Sequence, residues 1–203
     1  MSEPVRFQRV SDATPEQPTL VAGDVTLRPW RLGDASTVLP LYDTEVARLF
    51  GLGGDVPQLS RMQGAILRWR QGYADARKVV SFLVVRTSDP VPVGMCQIKD
   101  AGDGVGVVSW TTYAPYRQRG YTTTAVLTLC RYAFSDLDMA RLEAYLEPGH
   151  TASSRVASRA GFTREGLLRE KVTLDGSRRN LVLYARLGSD PAPVLPLRSR
   201  GRR

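Results

Sequence analysis

The chain has 203 residues, 42% of them hydrophobic, and a formal net charge of +8. That length suggests one domain, or one with appendages, and is ample for a sizeable core. No apolar run is long enough to span a membrane. The two cysteines, Cys96 and Cys130, have no metal-ligand spacing and read as buried small hydrophobes, which excludes a disulfide scaffold and fits a reducing compartment.

In chain order, residues 1–23 are polar, hold three prolines and show no period. They read as an N-terminal extension without a signal-peptide apolar core, so the expected location is cytoplasmic. Residues 24–30 read as a first strand. Leu32-Gly33-Asp34 is a turn and cap into a helix carrying Val38, Leu39 and Leu41. A second short helix runs over 44–50, and Gly51-Leu52-Gly53-Gly54 breaks it. That Gly-x-Gly-Gly is better a flexible loop than a phosphate loop, because no strand precedes it. Leu59, Met62, Ile66, Trp69 and Tyr73 then recur at helical spacing, with Trp69 and Tyr73 expected in the core.

Residues 79–86 form a nearly continuous apolar strand of the kind buried on both faces. Ser88-Asp89-Pro90 turns the chain into a return strand over 93–99. The third strand of this meander, over 105–113, is rich in β-branched and aromatic residues and stops at Pro115. A basic glycine turn, Arg117-Gln118-Arg119-Gly120, leads to a helix over 123–134 with Val126, Leu129, Cys130 and Ala133 on one face. In residues 141–147, Leu142, Ala144 and Leu146 alternate with Glu143, Tyr145 and Glu147, giving a strand parallel to the one before the helix. A helix over about 153–160 closes at Gly161. Strands at 162–168, 171–174 and 180–187 follow, the last two joined by Asp175-Gly176. Residues 188–203 read as a disordered basic tail, which carries three of the eight net positive charges through four arginines and one aspartate.

The turn between the third strand and its helix holds the chemistry. Gly120 admits φ > 0 or a close-approaching ligand. Helix-start amides lack helical partners and form a ready anion site, to which Arg117 and Arg119 add bidentate donors. The same residues would also serve an ordinary solvated turn.

Arg117-Gln118-Arg119-Gly120-Tyr121-Thr122 resembles the acetyl-CoA loop of the GNAT acetyltransferases, in which Gly or Ala is usual where Thr122 stands. His150-Thr151-Ala152-Ser153 through Gly161-Phe162 resembles the family's later motif, with His150 in place of the usual Asn. Leu27-Arg28-Pro29-Trp30 with Asp34-Ala35 resembles the opening of the branch named for acetylating ribosomal-protein N-termini. The resemblance covers roughly residues 26–187, and two motifs in order are more specific than either alone.

The resemblance implies an α/β (α+β) GNAT-like fold over residues 24–187, a mixed twisted sheet of about seven strands flanked by helices, with two parallel strands splayed around the pantetheine arm. It implies acetyl-CoA as cosubstrate and no metal. The pyrophosphate would rest on Arg119, Gly120, Tyr121, Thr122 and Thr123 beside Arg117. The pantetheine would pair with Val108, Ser109 and Trp110, where a strand amide would serve the oxyanion. Ser153 matches the serine facing the thiol, and would donate to the departing thiolate; a helix N-cap role is the alternative. His150 falls at a cofactor-contacting position. No general base is evident: Thr124 stands where Glu is frequent, and spacing does not place Glu143 or Glu147 at the amine.

The expected function is acetyl transfer to a primary amine of a protein N-terminus, an amino sugar or a small metabolite. The alternatives are a CoA-holding module without turnover and a basic nucleic-acid-binding protein. The spread of charge weakens the last, except through the tail. Dimers are common in the resembling branch, which makes a second copy of the chain an expected partner.

Overall fold

The computed structural model describes residues 16–49, 55–174 and 176–193. The Gly51–Gly54 stretch, Asp175 of the expected hairpin turn, residues 1–15 and the tail from 194 onward lie outside the described residues. The strands are β1 (Leu20–Ala22), β2 (Val25–Pro29), β3 (Val79–Arg86), β4 (Pro92–Asp100), β5 (Val105–Thr112), β6 (Arg141–Leu146), β7 (Thr163–Leu174) and β8 (Ser177–Leu187). The helices are α1 (Asp34–Val38), α2 (Thr44–Leu49), α3 (Leu59–Ala74), α4 (Tyr121–Ser135) and α5 (Thr151–Arg159). Among the described residues the strands form one mixed eight-stranded sheet, ordered β1-β2-β3-β4-β5-β6-β8-β7.

The strand beyond the expected seven is β1, which pairs antiparallel with β2 from Leu20↔Leu27 to Ala22↔Val25. It falls in the stretch read as an extension without period, because three residues are too few to show one. Other boundaries moved as well. β7 is one bulged strand rather than two pieces, with register shifts at Arg164/Gly166 and Leu168/Val172. The helix α4 starts two residues early, at Tyr121, and α5 starts at Thr151.

Alternation along the strands divides the core in two. Phe82, Cys96, Ile98, Val108, Leu142 and Ala144 face α4 and α5, packing against Val126, Leu129, Cys130 and Ala157. Leu83, Val85, Met95 and Tyr113 face the other way, against Trp30, Val38, Val46, Met62 and Ile66 of the α1–α3 side. Both cysteines are buried and free. Tyr73 is in the core, and half-buried Trp69 lies 5.1 Å from Trp30, ring centre to ring centre.

The opening motif has a physical role here. Arg28 grips Asp34 with two hydrogen bonds of 2.7 and 2.8 Å, and Asp34 also accepts the Arg31 amide at 2.7 Å. A bidentate, mostly buried pair of this kind fixes the turn into α1. Trp30 Nε1 donates to Ser81 Oγ at 3.1 Å, tying that turn to β3.

Candidate functional site

The site begins where one ladder fails. β5 and β6 pair parallel at Val105↔Arg141, Gly106↔Leu142 and Val107↔Glu143, and no further. Both strands continue. β5 stays paired to β4 as far as Thr112, and β6 stays paired to β8 as far as Leu146. Beyond Val107 the two therefore diverge, and the edges of Val108, Ser109 and Trp110 that face β6 have no strand partner. Gly106 permits the tight end of the wedge: a Cβ there would lie 2.9 Å from Ile98 and 3.0 Å from Leu142. The Val108 side chain is buried in the core, so only its backbone can face the gap. Half-buried Trp110 stands 6.4 Å from the Phe162 ring on the α4/α5 side, and Ser109 is exposed.

β5 leads through a 3-10 turn, Ala114–Tyr116, into the basic loop. Gln118 (φ 61°) and Gly120 (φ 80°) both take left-handed backbone. Gly120 is the N-cap of α4 and offers no side chain to its amides. Thr124 N–H donates to the Gly120 carbonyl at 3.2 Å, which leaves the earlier amides of the turn as outward donors. Thr122, the departure from the resembling pattern, has a use: its hydroxyl hydrogen-bonds that of Thr112, joining the end of β5 to the start of α4. Arg86 of β3 lies 6.0 Å over the Tyr116 ring, flanking the loop on one side. Arg119 is exposed.

β6 ends in a turn with Gly149 at φ 82°, then α5. Ser153 is not its N-cap. His150 is: its Nδ1 accepts the Ser153 amide at 3.2 Å, and Ser153 sits half-buried in the first helical turn. With Nδ1 accepting, the imidazole proton resides on Nε2, which lies 3.1 Å from Glu45 Oε1. A base at Nε2 would need that proton gone, so this geometry serves capping rather than general-base work. Glu45 Oε2 and Asp43 Oδ2 take Arg117 Nη1 at 3.2 and 2.7 Å.

Directly paired residues share a sheet face, so Ser109, Thr111, Glu143 and Tyr145 lie on the α1–α3 side. There Tyr145 donates to Glu143, Arg141 Nε reaches Glu143 at 2.7 Å, and the Arg141 fork engages Glu165. Lys171 Nζ lies 5.6 Å over the Tyr145 ring. Burial pushes the Glu143 carboxyl up, but the bonds from Tyr145 and Arg141 outweigh it and hold it below its ordinary value. The same bond to Glu143, with burial, pushes Tyr145 up to about 12.

Of the expected residues, 108–110 lie on β5 beyond its pairing with β6, Arg117 and His150 meet through Glu45, and Ser153 adjoins His150. Sequence reasoning missed Asp43 and Glu45, whose partners lie far along the chain. Asp43 caps α2 through Val46 N at 2.9 Å, and an Asp before a helical run was the one local signal available for it.

Comparison with known proteins agrees. The model of the acetyltransferase (GNAT) domain matches residues 24–163. The uncharacterized N-acetyltransferase p20 of Bacillus licheniformis is 27% identical over 175 residues, 83% of this chain and 96% of that one. RimJ of Mycobacterium smegmatis, solved with CoA-disulfide, superposes with a TM-score of 0.73 at 22% identity, covering 84% of this chain and 88% of that one. The ribosomal-protein-S5-alanine acetyltransferase of Vibrio fischeri gives 0.71 at 16% identity, over 87% and 100%. The chain belongs to the GNAT acetyltransferase family and is an acyltransferase.

Proposed function

We propose that the protein moves an acetyl group from acetyl-CoA to a primary amine, and that the acceptor is an α-amine of a protein N-terminus. The observation that carries the cofactor half is the unpaired edge of β5 running from the apex of the wedge to the uncapped start of α4. An extended arm with its own amides fits that edge, and phosphates fit the helix start. When bound, acetyl-CoA supplies an activated acyl thioester. The amides of Gly120, Tyr121, Thr122 and Thr123 would hold the pyrophosphate beside Arg117 and Arg119. The edge of Val108, Ser109 and Trp110 would align the arm, and one of its amides would stabilise the oxyanion. Ser153 Oγ–H would hydrogen-bond the thiolate as it leaves, with the amine's proton lost to water.

The acceptor half rests on Glu143. Glu143, on the open, α1–α3 side of the gap, is a weak proton acceptor, because Tyr145 and Arg141 hold its carboxyl low. A site without a strong base suits an amine that is already partly neutral. An α-amine, at about 7.7, is neutral in a sizeable fraction of molecules near pH 7, whereas a lysine, at about 10.4, is rarely so. The Vibrio fischeri relative, whose name gives an alanine of a ribosomal protein as its target, supports this reading, since alanine has no side-chain amine.

The test is calorimetric titration with acetyl-CoA, followed by release of free CoA thiol with free-N-terminus peptides, amino sugars and small amines. Binding, with turnover confined to peptides bearing a free α-amine, is the expected result. Absence of acetyl-CoA binding would overturn the reading. Binding without turnover on any acceptor would leave a CoA-holding module instead.

A further inference from the structure

The mouth of the gap is spanned by a third element. β5 leads to Arg117 and β6 leads to His150, and Glu45 on α2 reaches both, at 3.2 and 3.1 Å. Asp43, at the start of the same helix, takes Arg117 at 2.7 Å. Two carboxylates therefore meet one guanidinium and one imidazole whose Nδ1 is already committed to the Ser153 amide. This negative bracket lies beside the α4 start, where the phosphates of a polyanion are to dock.

We infer that Asp43 and Glu45 are an internal counter-anion for Arg117, competing with the cofactor's phosphates for its guanidinium, so that cofactor entry releases α2 from the mouth of the gap. The inference rests on the acetyl-CoA reading above. Arg117, Asp43 and Glu45 are 33%, 32% and 42% exposed in their side chains. An ion pair that wet is worth little and exchanges readily, whereas a buried one would be costly to break. A phosphate also offers the guanidinium fork at least the bidentate fit that a carboxylate does. The exchange leaves the Asp43 and Glu45 carboxylates without Arg117 at the start of α2.

A purely structural bracket and a competing one predict opposite signs. If the bracket only held α2 in place, neutralising it would weaken CoA binding or leave it alone. If it competes, neutralising it tightens CoA binding. Asp43→Asn is the apt change, because the amide oxygen still accepts the Val46 N–H that Asp43 Oδ1 accepts at 2.9 Å. Glu45→Gln is its companion.

The experiment is titration of free CoA into the wild type, both single variants and the double variant, at low and moderate salt, with Arg117→Ala as a second background. The expected dissociation constant of the double variant is about two- to fivefold lower, the scale of exposed ion pairs, with the gain shrinking in salt. In the Arg117→Ala background the gain should vanish, since the contested group is gone. Amide exchange in α2 of the wild type should quicken at saturating CoA. A wild type that binds CoA beside variants of equal or weaker affinity would overturn this inference alone. A wild type that binds no CoA would overturn it together with the cofactor reading.

Discussion

The two helices that start at the ends of the diverging strands start differently. α4 opens on Gly120, left-handed at φ 80° and without a capping side chain. α5 opens on His150, whose ring caps it from within. Both starts carry the positive end of a helix dipole. One is filled by the protein's own imidazole, and the other presents its amides outward, where the proposed pyrophosphate would dock. Gly120 forgoes only a few tenths of a kcal/mol against a side-chain cap, and its left-handed backbone favours glycine.

The sharpest way to break the contrast is to give α4 a cap of its own. Asp is both a favoured N-cap and one of the residues most tolerant of left-handed backbone. Gly120→Asp should fold at a cost of about 1 kcal/mol for a side chain at φ 80°, and set a negative charge where the pyrophosphate would dock. Its affinity for acetyl-CoA should fall at least about 100-fold, roughly 2.7 kcal/mol, with a Tm only a few degrees below that of the wild type. Retained affinity would remove Gly120 from the cofactor site. Next in size is Ser153→Ala, inside the first turn of the capped helix. It should lower kcat about 100-fold, the scale of removing one hydrogen-bond donor aimed at developing charge, while the dissociation constant for CoA stays within about threefold. Equal losses in binding and turnover would return Ser153 to a structural role. Third is the cap itself: His150→Ala should cost about 1 kcal/mol and a few degrees of Tm, and His150→Asn should recover most of it.

That order of effects follows what was legible from the chain. The apolar spacing of Leu59 to Tyr73 and the alternation of Leu142 with Glu143 are local patterns, and each produced its element. The Arg117–Thr122 turn was legible as an anion cradle because glycine and helix-start amides are also local. The wedge was not legible from pattern. It is the loss of pairing between two strands whose register, Val107↔Glu143, spans residues far apart in sequence, and nothing in either strand announces where a ladder will stop. The same distance hid the bracket, for Glu45 gains its meaning only beside His150. Ser153 shows a subtler limit: serine favours the N-cap on propensity, yet the histidine three residues earlier reached the amide first.

The smallest effect lies at Asp43, which holds Arg117 beside Glu45, the residue that ties the open end to the capped one. Partial burial pushes its carboxyl up, but hydrogen bonds from Arg117 and the Val46 amide outweigh it, so the folded value lies below 3.8. A carboxyl held lower in the folded chain than in the unfolded one contributes stability that is complete above the unfolded value. That contribution drains away as the pH falls through the folded value. The contribution of Asp43 should therefore be intact at pH 6, begin to fall at about pH 4 and be gone once the pH lies below the folded value. Asp43→Asn cannot take up that proton, so its Tm should fall less steeply than the wild type's between about pH 5 and pH 3. Saturating CoA should flatten the wild-type curve in the same direction, because an Arg117 given over to phosphate no longer holds the Asp43 carboxyl down. The variant's curve should gain only a uniform offset. Parallel curves for wild type and variant would mean that solvent, not Arg117, sets the proton affinity of Asp43, and the link between the two helix starts would then be geometric rather than electrostatic.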